Sequence, residues 1–120
     1  MAVHLYLATV VATFDDLPFA SPRERGRAVR DGLMAHPDVV TVRPDGEETR
    51  WLYRVDVEAD GEDAAREPSK RPAEQLATRL GCQVRIDRVS LMDEDEKHAF
   101  HGSFRGMHEL ARRGGVQRAR

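Results

Sequence analysis

Val3 to Phe14 reads Val-His-Leu-Tyr-Leu-Ala-Thr-Val-Val-Ala-Thr-Phe, apolar at odd and even positions alike and free of Gly and Pro. A strand with one wet side alternates, so a run that does not alternate suits a strand buried on both faces. The run is too short, and too interrupted by His4, Tyr6 and Thr9, to span a bilayer. No basic segment precedes it and no cleavage site follows, which makes it a strand and not a signal peptide. The fold is expected to be organised on this strand.

The segments that follow alternate between helical and strand periods. Ser21, Pro22 and Glu24 form a helix start, with Ser21 as N-cap and Glu24 closing a capping box. Ala28, Val29, Leu33 and His36 give an inward stripe, and Pro37 ends a helix expected from about Pro22 to Ala35. Gly26 and Gly32 each weaken that helix by about 1 kcal/mol against Ala. Val39 to Arg43 is a short β-branched run, and Pro44-Asp45-Gly46 signals a turn. From Thr49 to Glu58 the alternation is clear: Trp51, Tyr53, Val55 and Val57 share one face, and Leu52, Arg54, Asp56 and Glu58 the other. Asp60 to Pro72 reads as a loop with one helical turn at most. A second helix is expected from about Lys70 or Pro72 to Leu80, on the stripe Ala73, Leu76, Ala77 and Leu80, with Gly81 as its C′ glycine. Cys82 to Met92 is the last strand, its phase slipping at Arg88-Val89.

The order β-α-β-β-α-β, with two right-handed crossovers around a hairpin, generates a ferredoxin-like α+β sandwich. That fold is a four-stranded antiparallel sheet with both helices on one face and the first and third strands central. Residues 1–92 complete this domain. Residues 93–113 are expected to form a C-terminal amphipathic helix, capped by Asp93 and Glu96, with Phe100, Phe104, Met107 and Leu110 on its apolar stripe. Residues 114–120 read as a disordered tail.

Composition narrows function only coarsely. A chain of 120 residues, 40% apolar and 33% charged, is expected to be one soluble domain with a real core. Its formal net charge of −2 argues against bulk electrostatic binding of nucleic acid. Cys82 is the single cysteine, which excludes an internal disulfide and fits a reducing, cytoplasmic setting. It reads as a small core residue, not a nucleophile. No phosphate loop, dinucleotide fingerprint or serine elbow is present.

Several constellations remain. His98, His101 and His108 fall on one side of a continuous helix, yet match no zinc spacing, and neither a metal nor another cofactor is expected. Arg23, Arg27 and Arg30 on the first helix, with the Arg-rich tail, are the candidates for phosphate contact in a nucleic-acid-associated regulator. The third strand lacks the outward aromatics that an RNA-binding sheet stacks on, since Leu52 and Arg54 stand in those places. The leading expectation is a small binding or accessory protein that pairs with itself or with a protein partner. The second face of the first strand and the stripe Phe100, Phe104, Met107 and Leu110 are the surfaces needing cover. The alternative is a small enzyme of the dimeric α+β-barrel type. In it His4, Tyr6, Arg54, Asp56, Arg85 and Asp87 would line a pocket on the open face of the sheet and hold a small molecule or move its protons.

Overall fold

The computed structural model describes residues 3–93. Along the chain they form β1 (His4–Asp15), α1 (Pro22–Met34), β2 (Val39–Asp45), β3 (Glu47–Ala59), α2 (Glu62–Leu80) and β4 (Gln83–Asp93). The class is α+β. One antiparallel sheet, in the order β2-β3-β1-β4, is packed against two helices. β1 and β2 flank β3, and β3 and β4 flank β1, so each helix joins two parallel strands with one antiparallel strand between them. The stripe Phe100, Phe104, Met107 and Leu110, His98, His101 and His108, and the division into 93–113 and 114–120 lie outside the described residues.

Both helices share one side of the sheet, because a single core joins them to it. Tyr6, Ala8, Val10, Ala12 and Phe14 from β1 meet Trp51, Tyr53, Val55 and Val57 from β3 under Val29 and Leu33 of α1 and Ala65, Ala73 and Leu76 of α2. The even-numbered row of β1 and the odd-numbered row of β3 therefore form the helix side. The register pairs Tyr6 with Val57, Ala8 with Val55 and Val10 with Tyr53, which keeps these rows together. The hairpin between β2 and β3 closes at Gly46, whose φ of 88° lies in the left-handed region that other residues avoid.

Helix α1 starts where its cap dictates: Ser21 Oγ accepts from the Glu24 amide at 3.0 Å, and Pro22 takes the first turn. Its two glycines differ in kind. A Cβ on Gly32 would collide with Leu76 Cδ1, whereas one on Gly26 would touch Trp51 at 3.7 Å. Gly32 is the point where α1 crosses closely over buried Leu76 of α2. Gly32→Ala is thus expected to lower stability by about 1–3 kcal/mol despite its better helix propensity, through overpacking. Gly26→Ala is expected to raise it by about 0.5–1 kcal/mol. Urea denaturation of the two variants would show opposite shifts in midpoint, and shifts of the same sign would refute this crossing.

Helix α2 begins at Glu62, eight or more residues before the expected start, with Pro68 and Pro72 inside it. Each proline removes one intrahelical hydrogen bond, which is the reason to read the segment as a loop. Burial overrides that cost. Ala65, Ser69, Pro72, Ala73, Leu76 and Ala77 are all buried, and they recur at helical spacing across both prolines. Side chains also serve the backbone there. The Ser69 hydroxyl donates to Arg66 O at 2.6 Å, and the Tyr53 hydroxyl donates to Ser69 O at 2.7 Å from beneath. Burial pushes the Tyr53 phenol well above its ordinary pKa, so it stays a neutral donor. The phase slip of β4 is a β-bulge: Arg88 pairs with Val11 and Ile86 with Ala12, leaving Asp87 as the extra residue. No helix among the described residues is long and apolar enough to cross a membrane.

Candidate functional site

The sheet face opposite the helices is built from the odd-numbered row of β1 and the even-numbered row of β3. Register turns these into transverse rows. One row runs Arg43, Leu52, Val11, Arg88 from β2 to β4, and the next runs Thr41, Arg54, Thr9, Ser90. Beyond it lie Asp56, Leu7 and Met92, then Glu58 and Leu5. On the other side of the Leu52 row stand Arg50, Thr13 and Arg85.

Exposure varies sharply across this face. Val11 and Leu52 at its centre are only 3% and 5% exposed, although the helices lie behind the sheet. Arg43, Arg50, Arg54 and Arg88 surround them, and such side chains lay their methylene stems over apolar neighbours. Leu7 and Met92 are half-buried, while Leu5 is 37% and Val3 63% exposed. The polar row Thr41, Arg54, Thr9 and Ser90 separates the buried pair Val11 and Leu52 from a second apolar group, Leu7, Met92 and Leu5, towards the open end of β1.

Charge is sorted along the strands. At one end, Asp87 accepts from the Thr13 hydroxyl at 2.5 Å and from Arg85 Nε at 2.9 Å, and Arg85 also reaches Asp15 at 3.9 Å. Arg50 is held by Asp45 and Glu47 at 3.5 and 3.9 Å. Those charges neutralise one another locally. Arg43 and Arg88 have no ion pair among the described residues, and Arg54 contacts Thr9 Oγ1 at 3.3 Å. Arg43, Arg54 and Arg88 lie in the middle rows, and Asp56 and Glu58 in the rows of Leu7 and Leu5.

Burial alone would raise the Asp87 carboxyl, but the Thr13 and Arg85 hydrogen bonds outweigh it and hold it below the usual range. A group depressed in this way contributes stability above its unfolded pKa and loses it as pH falls through the folded value. Asp87→Asn is therefore expected to cost about 1 kcal/mol at neutral pH, and progressively less below about pH 4. Equal losses for the variant at pH 7 and pH 2.5 would contradict that role.

The six pocket candidates are split by the sheet. Arg54, Asp56, Arg85 and Asp87 lie on the open face, with Arg85 and Asp87 at the far end from Asp56. His4 and Tyr6 belong to the helix-side row. Tyr6 is buried; the His4 ring is tilted at 6.1 Å from it, with Nδ1 3.7 Å from Asp93 Oδ2. Arg23, Arg27 and Arg30 are exposed along α1, Arg30 beside Asp31 at 3.5 Å. Cys82 packs partly against the core, and burial, then Asp15 and Asp16, push its thiol up. Among the described residues no three of His, Cys, Asp or Glu are grouped to hold a metal ion. Sequence reasoning missed Thr13, Arg43, Leu7, Arg88 and Met92 as parts of this face. The signal for Leu7, Val11 and Thr13 was the odd-numbered phase of β1, hidden because both phases are apolar. No family model and no curated protein matches this chain.

Proposed function

We propose that this protein works by binding, and that its partner is a second copy docked on the open face of the sheet. The observation that supports the reading is the group Leu5, Leu7 and Met92, exposed or half-buried on the face opposite α1 and α2 and bordered by charges of both signs. Exposed apolar groups rimmed by polar residues are what an interaction site presents. Its size is adequate. Four strands about 4.8 Å apart and roughly eight residues at about 3.4 Å each project to about 500 Å². With side-chain relief, that approaches the roughly 800 Å² per partner of a standard interface.

A second copy suits the face because the face carries its own complement, an arginine block and a carboxylate block. The finer fold reading belongs with this proposal. Counted from β4 the strands run 4-1-3-2, and the two interleaved parallel pairs support a ferredoxin-like βαββαβ sandwich. The lone Cys82 fits a reducing cytoplasmic setting. Light scattering on a dilution series of the whole chain tests the assembly. A mass near twice 13.6 kDa at high concentration is expected, and a strict monomer at every concentration would sink the reading.

A further inference from the structure

Arg43, Arg54 and Arg88 stand in the middle of the open face on three different strands, β2, β3 and β4. Arg43 and Arg88 close the two ends of the row that runs through Leu52 and Val11, and Arg54 lies in the next row beside Thr9. Among the described residues no carboxylate forms an ion pair with any of the three, and Asp56, the next residue of β3 on this face, is no exception. Arginines at the other end of the face are treated differently: Arg50 is held by Asp45 and Glu47, and Arg85 by Asp87 and Asp15. Acidic residues outnumber basic ones in this chain, 21 to 19, so the three guanidiniums do not lack partners for want of carboxylates.

The cluster has a firm base. Val11 and Leu52, between Arg43 and Arg88, are 3% and 5% exposed, and β1 and β3 are the interior strands. Arg54 Nε donates to Thr9 Oγ1 at 3.3 Å, which directs the side chain towards β1 and leaves the Thr9 proton free to donate in turn. Thr41 and Ser90 end the same row, and their hydroxyls have no partner among the described residues.

We propose that this cluster is a binding site for an oligophosphate, the linked phosphates of a pyrophosphate or triphosphate group. Guanidinium is the cation whose planar fork pairs with two oxygens of a phosphate, and hydroxyls supply further donors. Arg43 and Arg88 start about 14 Å apart, three strand spacings of about 4.8 Å. With Arg54 between them, that span suits anionic groups linked in line better than a single carboxylate. The dry Val11–Leu52 floor keeps water from beneath the anion and strengthens its attraction to the arginines. These rows carry no aromatic side chain, so a nucleobase has nothing to stack on and recognition stops at the phosphates. The site goes beyond the self-docking reading, since one chain supplies every group.

The test is titration of the full-length chain with inorganic triphosphate, pyrophosphate, orthophosphate and ATP at low ionic strength, where screening is weak. Calorimetry and amide NMR shifts read the binding. Triphosphate and pyrophosphate are expected to shift Thr9, Val11, Leu52 and Arg54 most, and to bind about 10-fold or more tightly than orthophosphate. ATP is expected to match inorganic triphosphate within about 3-fold, because adenine finds no stacking partner. Arg43→Gln, Arg54→Gln and Arg88→Gln are each expected to weaken triphosphate binding by about 10-fold. Arg27→Gln on α1 is expected to leave it unchanged. Circular dichroism checks each fold, and the exposed Arg43 and Arg88 carry the test if the half-buried Arg54 cannot be replaced. Neither heat nor shifts at millimolar triphosphate would overturn the site. So would binding that survives all three substitutions, or that Arg27→Gln weakens as much. ATP binding more than about 10-fold tighter than triphosphate would overturn recognition through phosphates alone.

Discussion

Phe14→Ala is expected to remove about 3–5 kcal/mol of folding free energy, the range for deleting a fully buried aromatic side chain. Phe14 is 0% exposed, stands at the end of β1's helix-side row and pairs with Val84 on β4. The remaining cavity would lie where an interior strand, an edge strand and the helix layer meet, and the sheet cannot collapse into it without breaking register. Against a typical total of about 5–15 kcal/mol, the loss is about a fifth or more. At roughly 4–8 °C per kcal/mol for a domain of this size, the melting midpoint should drop by roughly 12–40 °C. Urea unfolding should show a lower midpoint with an unchanged slope. A loss below about 1 kcal/mol would mean that Phe14 does not sit in the core.

Leu7→Glu is expected to do the reverse, sparing the fold and dissolving the assembly. Leu7 is on the same strand as Phe14 but in the opposite row, half-buried beside Asp56 and Met92. Burying a leucine is worth about 1.5–3 kcal/mol, a dimer loses that twice, and the new carboxylates must be desolvated beside Asp56. Self-association should weaken by about 100-fold or more, while the monomer's stability to urea moves by less than about 1 kcal/mol. A variant that unfolds as readily as Phe14→Ala would place Leu7 in the core, and one that still dimerises would exclude this face.

The contrast between these two residues shows what was legible beforehand. Alternation in Thr49 to Glu58 separates Trp51, Tyr53, Val55 and Val57 from Leu52, Arg54, Asp56 and Glu58, because one side of β3 is dry and the other polar. The same separation could not be read in β1. Leu5, Leu7 and Val11 are as apolar as Ala8, Val10 and Phe14, so periodicity has no contrast to work with, and His4 and Tyr6 could be assigned to the open face. Their phase became visible only through the register with β3. The first eight residues of α2 were hidden for another reason. Pro68 and Pro72 are local signals against a helix, and the Ala65-Ser69-Pro72 stripe that outweighs them is made of small residues with little hydrophobic contrast. Thr13, Asp87 and Arg85 are distant or bulge-dependent neighbours. A bulge that turns Asp87 towards Thr13 leaves only a phase slip in the sequence, one residue from its true place.

Methionine oxidation reports on the open face of the sheet directly. Met92 lies on the open face beside Leu7, whereas Met34 is 48% exposed on α1. Dilute peroxide converts an accessible thioether to the sulfoxide, and mass spectrometry reads each site separately. If two copies bury the open face, Met92 oxidation should slow several-fold as protein concentration rises from a monomeric to a dimeric range, and Met34 oxidation should not change. A Met92 rate independent of concentration, or protection of Met34 in its place, would contradict the account.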